Sequence, residues 1–369
     1  MSFRSLSLNC LLLNSYSSGR SSWLRRVMPV LAMALFFLSS CGDTAGPDVV
    51  SAEQAEPLVV YSSRKEHLIK PVFDLYTQQT GIEIKYTTDK AGVLIERLKA
   101  EGENTPADLL ITVDAGNLGY AASQGLFQVL DSSVVNNRVA AHLRDDNDLW
   151  TGLSLRARTI VYSTVRVTPA ELSSYAALGE AQWKGKLCLR TAKKVYNQSL
   201  VSMFIAERGE QQSQALVESW VANLAIPPTS NDTKLMEAIL AGQCDVGIVN
   251  SYYFGRLQNQ YPELALALFW PNQNAASSGS GVHVNVAGIG LLKHAKQPKQ
   301  ARVFIEWLIS DQAQRLFADV NQEYPVNPSV PVSAQVKSWG DFEPSELPLS
   351  RAYELQPAAV KLMDRAAYR

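Results

Sequence analysis

The chain predicts an α/β fold large enough for two domains. Three observations carry this. Short apolar runs alternate with stretches of helical period from residue 57 onward. Several runs stop at turn residues, as strands do. The chain has 369 residues and 46% hydrophobic content, enough for two packed cores. Strands alternating with helices imply a mostly parallel sheet with helices on both faces.

The N-terminus reads as a leader. Arg25-Arg26 is followed by an apolar run over 27–38, too short to span a bilayer as a stable helix. Leu38-Ser39-Ser40-Cys41 resembles a bacterial lipobox. That implies a signal peptide over 1–40, cleavage before Cys41 and lipidation of its thiol. An ordinary signal peptide with an incidental cysteine is the alternative. Residues 41–56, rich in Ala, Gly, Pro and acid, suit a tether between lipid and domain. Net charge is -1, from 34 Lys+Arg and 35 Asp+Glu. Four of the basic residues (Arg4, Arg20, Arg25, Arg26) precede Cys41, and no acidic residue does, so the mature chain is near -5 (30 against 35). This gives no sign of a nucleic-acid surface.

Residues 57–62 form a strand ending at Tyr61, followed by a helix over 64–79 that Gly81 stops. A strand at 82–86, a helix at 91–100 and a strand at 107–113 follow, and Asp114 suits the cap of a helix reaching Ser123. Residues 154–162 (Ser-Leu-Arg-Ala-Arg-Thr-Ile-Val-Tyr) read as an extended segment with Arg156 and Arg158 on one face. Two such arginines could grip an anion, or line a solvated edge. A strand at 183–190 leads through a loop to Tyr196, which opens a helix to about residue 208, and 211–224 is a further helix. A helix over 232–241, capped by Asn231 or Asp232, leads into the apolar run 246–249. That run ends at Asn250-Ser251, and Tyr252-Tyr253 follow at once. Strands at 264–270 and 282–292 flank a loop over 272–281; helices at 299–309 and 311–320 precede a rigid loop, Tyr324-Pro325-Val326-Asn327-Pro328. The tail from Ser345 reads as helical packing. Beyond the leader, the cysteines are Cys188 and Cys244, each in a strand-like segment. Their positions leave open a disulfide or two separate buried thiols.

Tyr61, Tyr196, Tyr252 and Tyr253 share one address, the carboxyl end of a strand, where α/β sheets bind ligands. Four phenols suit a hard trivalent cation such as ferric iron, which would ionise them as metals ionise thiols and water. A nearby arginine would aid the phenolates and hold a small anion. The competing reading is that tyrosines here only pack. No Cys-x-x-Cys pair and no His-Glu-x-x-His motif occurs. The histidines (His67, His142, His283, His294) are scattered. No Walker loop, dinucleotide fingerprint or Gly-x-Ser-x-Gly elbow is present, so an enzyme ranks last.

Val59-Val60-Tyr61-Ser62-Ser63-Arg64, the 154–162 segment, Tyr196-Asn197-Gln198-Ser199 and the 250–256 segment (Asn-Ser-Tyr-Tyr-Phe-Gly-Arg) resemble the ferric-iron-binding proteins of bacterial ABC transporters. These include the ferric-binding proteins and the cyanobacterial iron-deficiency-induced proteins. The likeness runs from about residue 58 to residue 327. It implies a type II two-lobed periplasmic-binding-protein fold, each lobe a mixed sheet flanked by helices, closing on its ligand by hinge motion. The lobes would be 57–155 with 282–328, and 156–281 with 329–369. Tyr61, Tyr196, Tyr252 and Tyr253 would ligate Fe3+. Arg156, and secondarily Arg158, would hold carbonate or another synergistic anion. A Cys188–Cys244 bridge is implied as well. Some relatives carry a histidine ligand near Tyr61, whereas here Ser62, Ser63, Arg64, Lys65 and Glu66 stand there. The expected protein is a monomeric, lipid-anchored, periplasmic carrier serving an inner-membrane permease and touching the membrane only through its lipid. The rival is a binding protein for another solute, such as a polyamine or an oxyanion.

Overall fold

Alternation of strand and helix is what the chain adopts. The strands and helices run β1 Leu58–Ser62, α1 Glu66–Thr80, β2 Ile84–Thr88, α2 Ala91–Glu101, β3 Leu109–Thr112, α3 Ala115–Ser123, α4 Ser133–Arg138 and β4 Thr151–Ser163. They continue with β5 Leu187–Cys188, α5 Val195–Ala222, α6 Asp232–Leu240, β6 Val246–Asn250, α7 Ser251–Gln260 and β7 Leu266–Phe269. The last are β8 Val284–Leu291, α8 Pro298–Leu308, α9 Asp311–Asn321, β9 Tyr324–Pro325, α10 Ala334–Lys337 and α11 Ser350–Arg365. This computed structural model describes residues 56–273 and 281–369; the leader, Cys41 and nearly all of the tether lie outside them. Among the described residues no helix is long and apolar enough to cross a membrane.

The sheet order is β2-β1-β3-β8-β4-β6-β5, with β7 and β9 also on β4. It is mixed, as the family resemblance implies, rather than mostly parallel, as the alternation of strands and helices alone suggests. β1 pairs parallel with β2 and β3, and β5 with β6, but β8 and β4 run antiparallel to their neighbours. Apolar runs alone do not encode direction. All thirteen residues of β4 are buried. Its first half pairs with β8, and its second half with β6 and β7. One apolar cluster (Val60, Phe73, Leu109, Trp150, Phe304) surrounds the β1–β3 end. Another (Ile160, Tyr175, Phe204, Trp220, Ile248) lies about the far half of β4. Helix α11 packs against both α3 and α5. Gly119 permits this contact, because a Cβ there would come within 2.4 Å of Tyr353.

Local signals behave as their chemistry requires. Asp114 accepts a hydrogen bond from Gly116 N, and Asn231, not Asp232, accepts one from Lys234 N. Gly81 (φ 75°) closes α1 in the left-handed conformation. Gly209 (φ 80°) breaks α5 where the two sequence-predicted helices meet. The strand predicted over 183–190 shortens to Leu187–Cys188, since Trp183 ends a 3₁₀ turn. The 324–328 loop contributes β9, which pairs with Ser154 and Leu155 of β4.

Cys188 and Cys244 are bridged, with their Cα atoms 5.9 Å apart. The bond ties β5 to the residue two before β6. For a separation of 56 residues, loop-closure entropy makes this bridge worth about 4 kcal/mol. Replacing both cysteines by alanine is expected to lower the thermal midpoint accordingly, and calorimetry of the double variant checks it.

Candidate functional site

The ends of β1, β3 and β6 and the start of α5 open on one cleft. Ser63, Arg64 and Lys65 follow β1, Val113 follows β3, and Tyr196 stands in the first turn of α5. Tyr252 and Tyr253 stand in the first turn of α7. Arg156 of β4, Ala287 of β8, Arg256 of α7 and Glu323 complete the wall. The cleft holds ≈ 150 Å³. At about 30 Å³ per water, that is room for about five water-sized groups. An ion with a small companion fits; a drug-sized solute does not.

The three phenols lie among guanidinium groups. The rings of Tyr252 and Tyr253 are 4.5 Å apart. Arg156 Cζ lies 4.9 Å from the Tyr196 ring and Arg256 Cζ 4.8 Å from the Tyr252 ring. Arg190 Cζ lies 5.2 Å from the Tyr196 ring and 5.7 Å from the Tyr253 ring. Burial raises the pKa of Tyr196 and outweighs the opposing charge of Arg156. Tyr252 is raised well above the usual phenol value, by burial first and then by its neighbours Tyr196 and Tyr253. Tyr196 and Tyr252 therefore keep their protons until a stronger positive charge arrives. A trivalent cation is such a charge. Among the described residues no group of three or more His, Cys, Asp or Glu could hold a metal ion, so phenol oxygens are the donor set on offer. One carboxylate, Glu323, does reach the cleft wall. It is taken by Arg64 (2.7 Å) and by the Ser154 hydroxyl (2.6 Å).

Two expected site residues fall elsewhere. Tyr61 is not brought to the cleft. It is 1% exposed, and its hydroxyl donates to both Glu101 oxygens at 2.9 and 3.1 Å. Burial, then Glu101, pushes its pKa up to about 12. The reason is where the strand stops: β1 runs on to Ser62, and Ser63, Arg64 and Lys65 beyond its end reach the cleft, while Tyr61, still inside the strand, faces Arg97 and Glu101 of α2. Arg158 is not free to hold an anion. Its five donors make five hydrogen bonds, two to Asn197 Oδ1, one each to Asp232 Oδ2 and Asn250 Oδ1, and one to the Ile248 carbonyl. It anchors instead: Asn197 adjoins Tyr196, and Asn250 Nδ2 donates to the Tyr252 hydroxyl at 3.2 Å. Arg156 does line the cleft, with one ion pair to Asp114 at 2.9 Å.

Sequence reasoning passed over Arg256, Lys65 and Arg190. Arg256 was within reach, since it lies three and four residues from the tyrosines on one helix. Arg190 gave no signal, because only the tertiary fold carries it beneath Tyr196. Its charge is opposed by burial but upheld by Asp232 and the Tyr253 hydroxyl, and its pKa lies above the usual arginine value.

The family of bacterial extracellular solute-binding proteins matches residues 72–344. Iron uptake protein A1 of Synechocystis is 37% identical, over 90% of this chain and 93% of its own length. Iron uptake protein A2 of the same organism is 40% identical, over 86% and 92%. The structure of the Trichodesmium protein IdiA (FutA), in complex with iron and citrate ligands, aligns at TM-score 0.81 and 39% identity, over 85% of this chain and all of that one. The fold is that of the type II periplasmic binding proteins.

His283 stands behind the cleft, buried beside Arg156 and Arg158. Burial first, then these two charges, pushes its imidazole down to about 3 from 6.5. The unfolded chain therefore binds the extra proton between these values. The stability His283 contributes is whole above pH 6.5 and is lost as pH falls toward 3. In metal-free protein, His283→Asn is expected to flatten the fall in stability across this window. Urea unfolding at stepped pH measures it.

Proposed function

The chain belongs to the bacterial extracellular solute-binding proteins, and from that membership we propose that it captures ferric iron outside the cytoplasm and delivers it to an ABC permease. The observation that carries the reading is the trio Tyr196, Tyr252 and Tyr253, set in a small cleft among arginines with no unengaged carboxylate among the described residues that line it. Phenolate oxygens are hard, charged donors, matched to a hard trivalent cation. Relatives named as iron uptake proteins, and a neighbour solved with iron and citrate, support it. Tyr61 is withdrawn from the ligand set. Arg156 holds a small anion that fills the remaining coordination positions, and Lys65, which also lines the cleft, favours that anion's charge.

Capture proceeds by closure of two lobes, residues 57–155 with 282–328 and residues 156–281 with 329–369. The hinge lies in β4 and at the start of β8. The phenols belong to the second lobe, and Ser63 to Lys65 of the first lobe cover them on closing. The carrier acts as a monomer, held at the membrane by lipid on Cys41. A polyamine would meet Lys65, Arg156 and Arg256 and is disfavoured by like charge. A metal-free oxyanion is the rival that those same residues favour.

Ferric phenolate centres absorb visible light. Purified protein given ferric citrate is expected to colour, and Tyr252→Phe/Tyr253→Phe to abolish the band. Protein that stays colourless while binding an oxyanion would leave the rival standing. Tyr61→Phe should keep the full band and lose about 1 kcal/mol of stability through its missing hydrogen bond to Glu101. A loss of colour in that variant returns Tyr61 to the site.

A further inference from the structure

At the wall of the cleft and beneath it lie three buried arginines and two buried aspartates. Arg156 pairs with Asp114 at 2.9 Å. Arg158 and Arg190 share Asp232, at 3.2 and 3.4 Å. Three positive charges against two negative leave one in excess. The sharing of Asp232 is unequal. Its Oδ2 accepts from Arg158 and from Asn250 N, while its Oδ1, the oxygen facing Arg190, has no hydrogen bond. Arg190 is 6% exposed, yet its Nε and Nη1 have no hydrogen-bond partner. Arg158, equally buried, has every donor engaged. A purely structural arginine would be satisfied like Arg158, because an unmet buried donor is costly. The guanidinium that is unmet is also the one that faces the rings of both Tyr196 and Tyr253.

We propose that Arg190 is a positioning residue for the ferric site: its guanidinium donates to the oxygens of Tyr253 and Tyr196 once these are bound to the metal, and its charge offsets theirs. This rests on the ferric reading above. The arrangement places the balancing charge inside the protein, behind the ligands. Arg156 and Arg256 stand at the cleft wall and meet the incoming anion; Arg190 meets the ligands from beneath.

The test uses the mature protein loaded with ferric citrate, comparing Arg190→Gln and Arg190→Lys with the unaltered chain. Three quantities are read: the wavelength of the phenolate-to-iron band, the rate at which EDTA removes the iron, and the thermal midpoint of the metal-free protein. Losing one charge-assisted hydrogen bond is expected to speed release about tenfold to a hundredfold in Arg190→Gln. The band should move to longer wavelength, since the phenolates lose stabilisation. Arg190→Lys should recover part of both effects. The metal-free midpoint should hold, because Asp232 keeps Arg158. An unchanged band and release rate in Arg190→Gln overturn the proposal. So does faster release that merely follows a fall in the metal-free midpoint. If the unaltered chain never colours, the ferric reading itself fails and this inference falls with it; a coloured wild type beside an indifferent variant sinks the inference alone.

Discussion

Arg158 spends no donor on the cleft, and the cleft depends on it. Its guanidinium joins β4, on which it sits, to the first turn of α5 and the end of β6, which arrive from different parts of the chain. One bond pair holds Asn197, next to Tyr196; another bond holds Asn250, which in turn holds the Tyr252 hydroxyl. Asp232 supplies the countercharge and also receives the Asn250 backbone N–H. Ion pairs this deep cost desolvation and stabilise little by themselves. What this one confers is position, fixing three phenols to one another before any ligand arrives, as a precise site requires.

Behind that anchor the rest of the architecture falls into place. β4 belongs to both halves of the sheet, so it delivers Arg156 to the cleft and Arg158 beneath it from adjacent turns of one pleat. The disulfide pins β5 to the approach to β6, the two strands whose exits lead to Tyr196 and to the tyrosine pair. Short exits from pinned strands leave the phenols little freedom.

Much of this was legible in the residues. Alternating periods gave the strand and helix order, Asp114 and the Asn231-Asp232 pair the caps, and two successive helical periods the break in α5. The tyrosine pair and Tyr196 were legible because strand ends are where α/β sheets bind. Tyr61 shares that address in sequence, but β1 runs one residue past it, the residues beyond the strand reach the cleft, and an apolar run does not reveal where its strand stops. Arg156 and Arg158 share a face in sequence, yet differ in role because β4 changes partners between them. Arg190 was invisible, since nothing local marks an arginine whose partners are 42 and 63 residues away (Asp232 and Tyr253). Sheet direction was equally hidden.

The number of phenols has an electrical consequence. On the ferric reading, three protons leave Tyr196, Tyr252 and Tyr253 as three positive charges arrive, so the metal itself adds no net charge and the empty and loaded carriers differ only by the small anion that accompanies it. Long-range attraction then treats both nearly alike. A permease that must admit one and ignore the other has to read shape, the closed outline of the lobes, at contact distance.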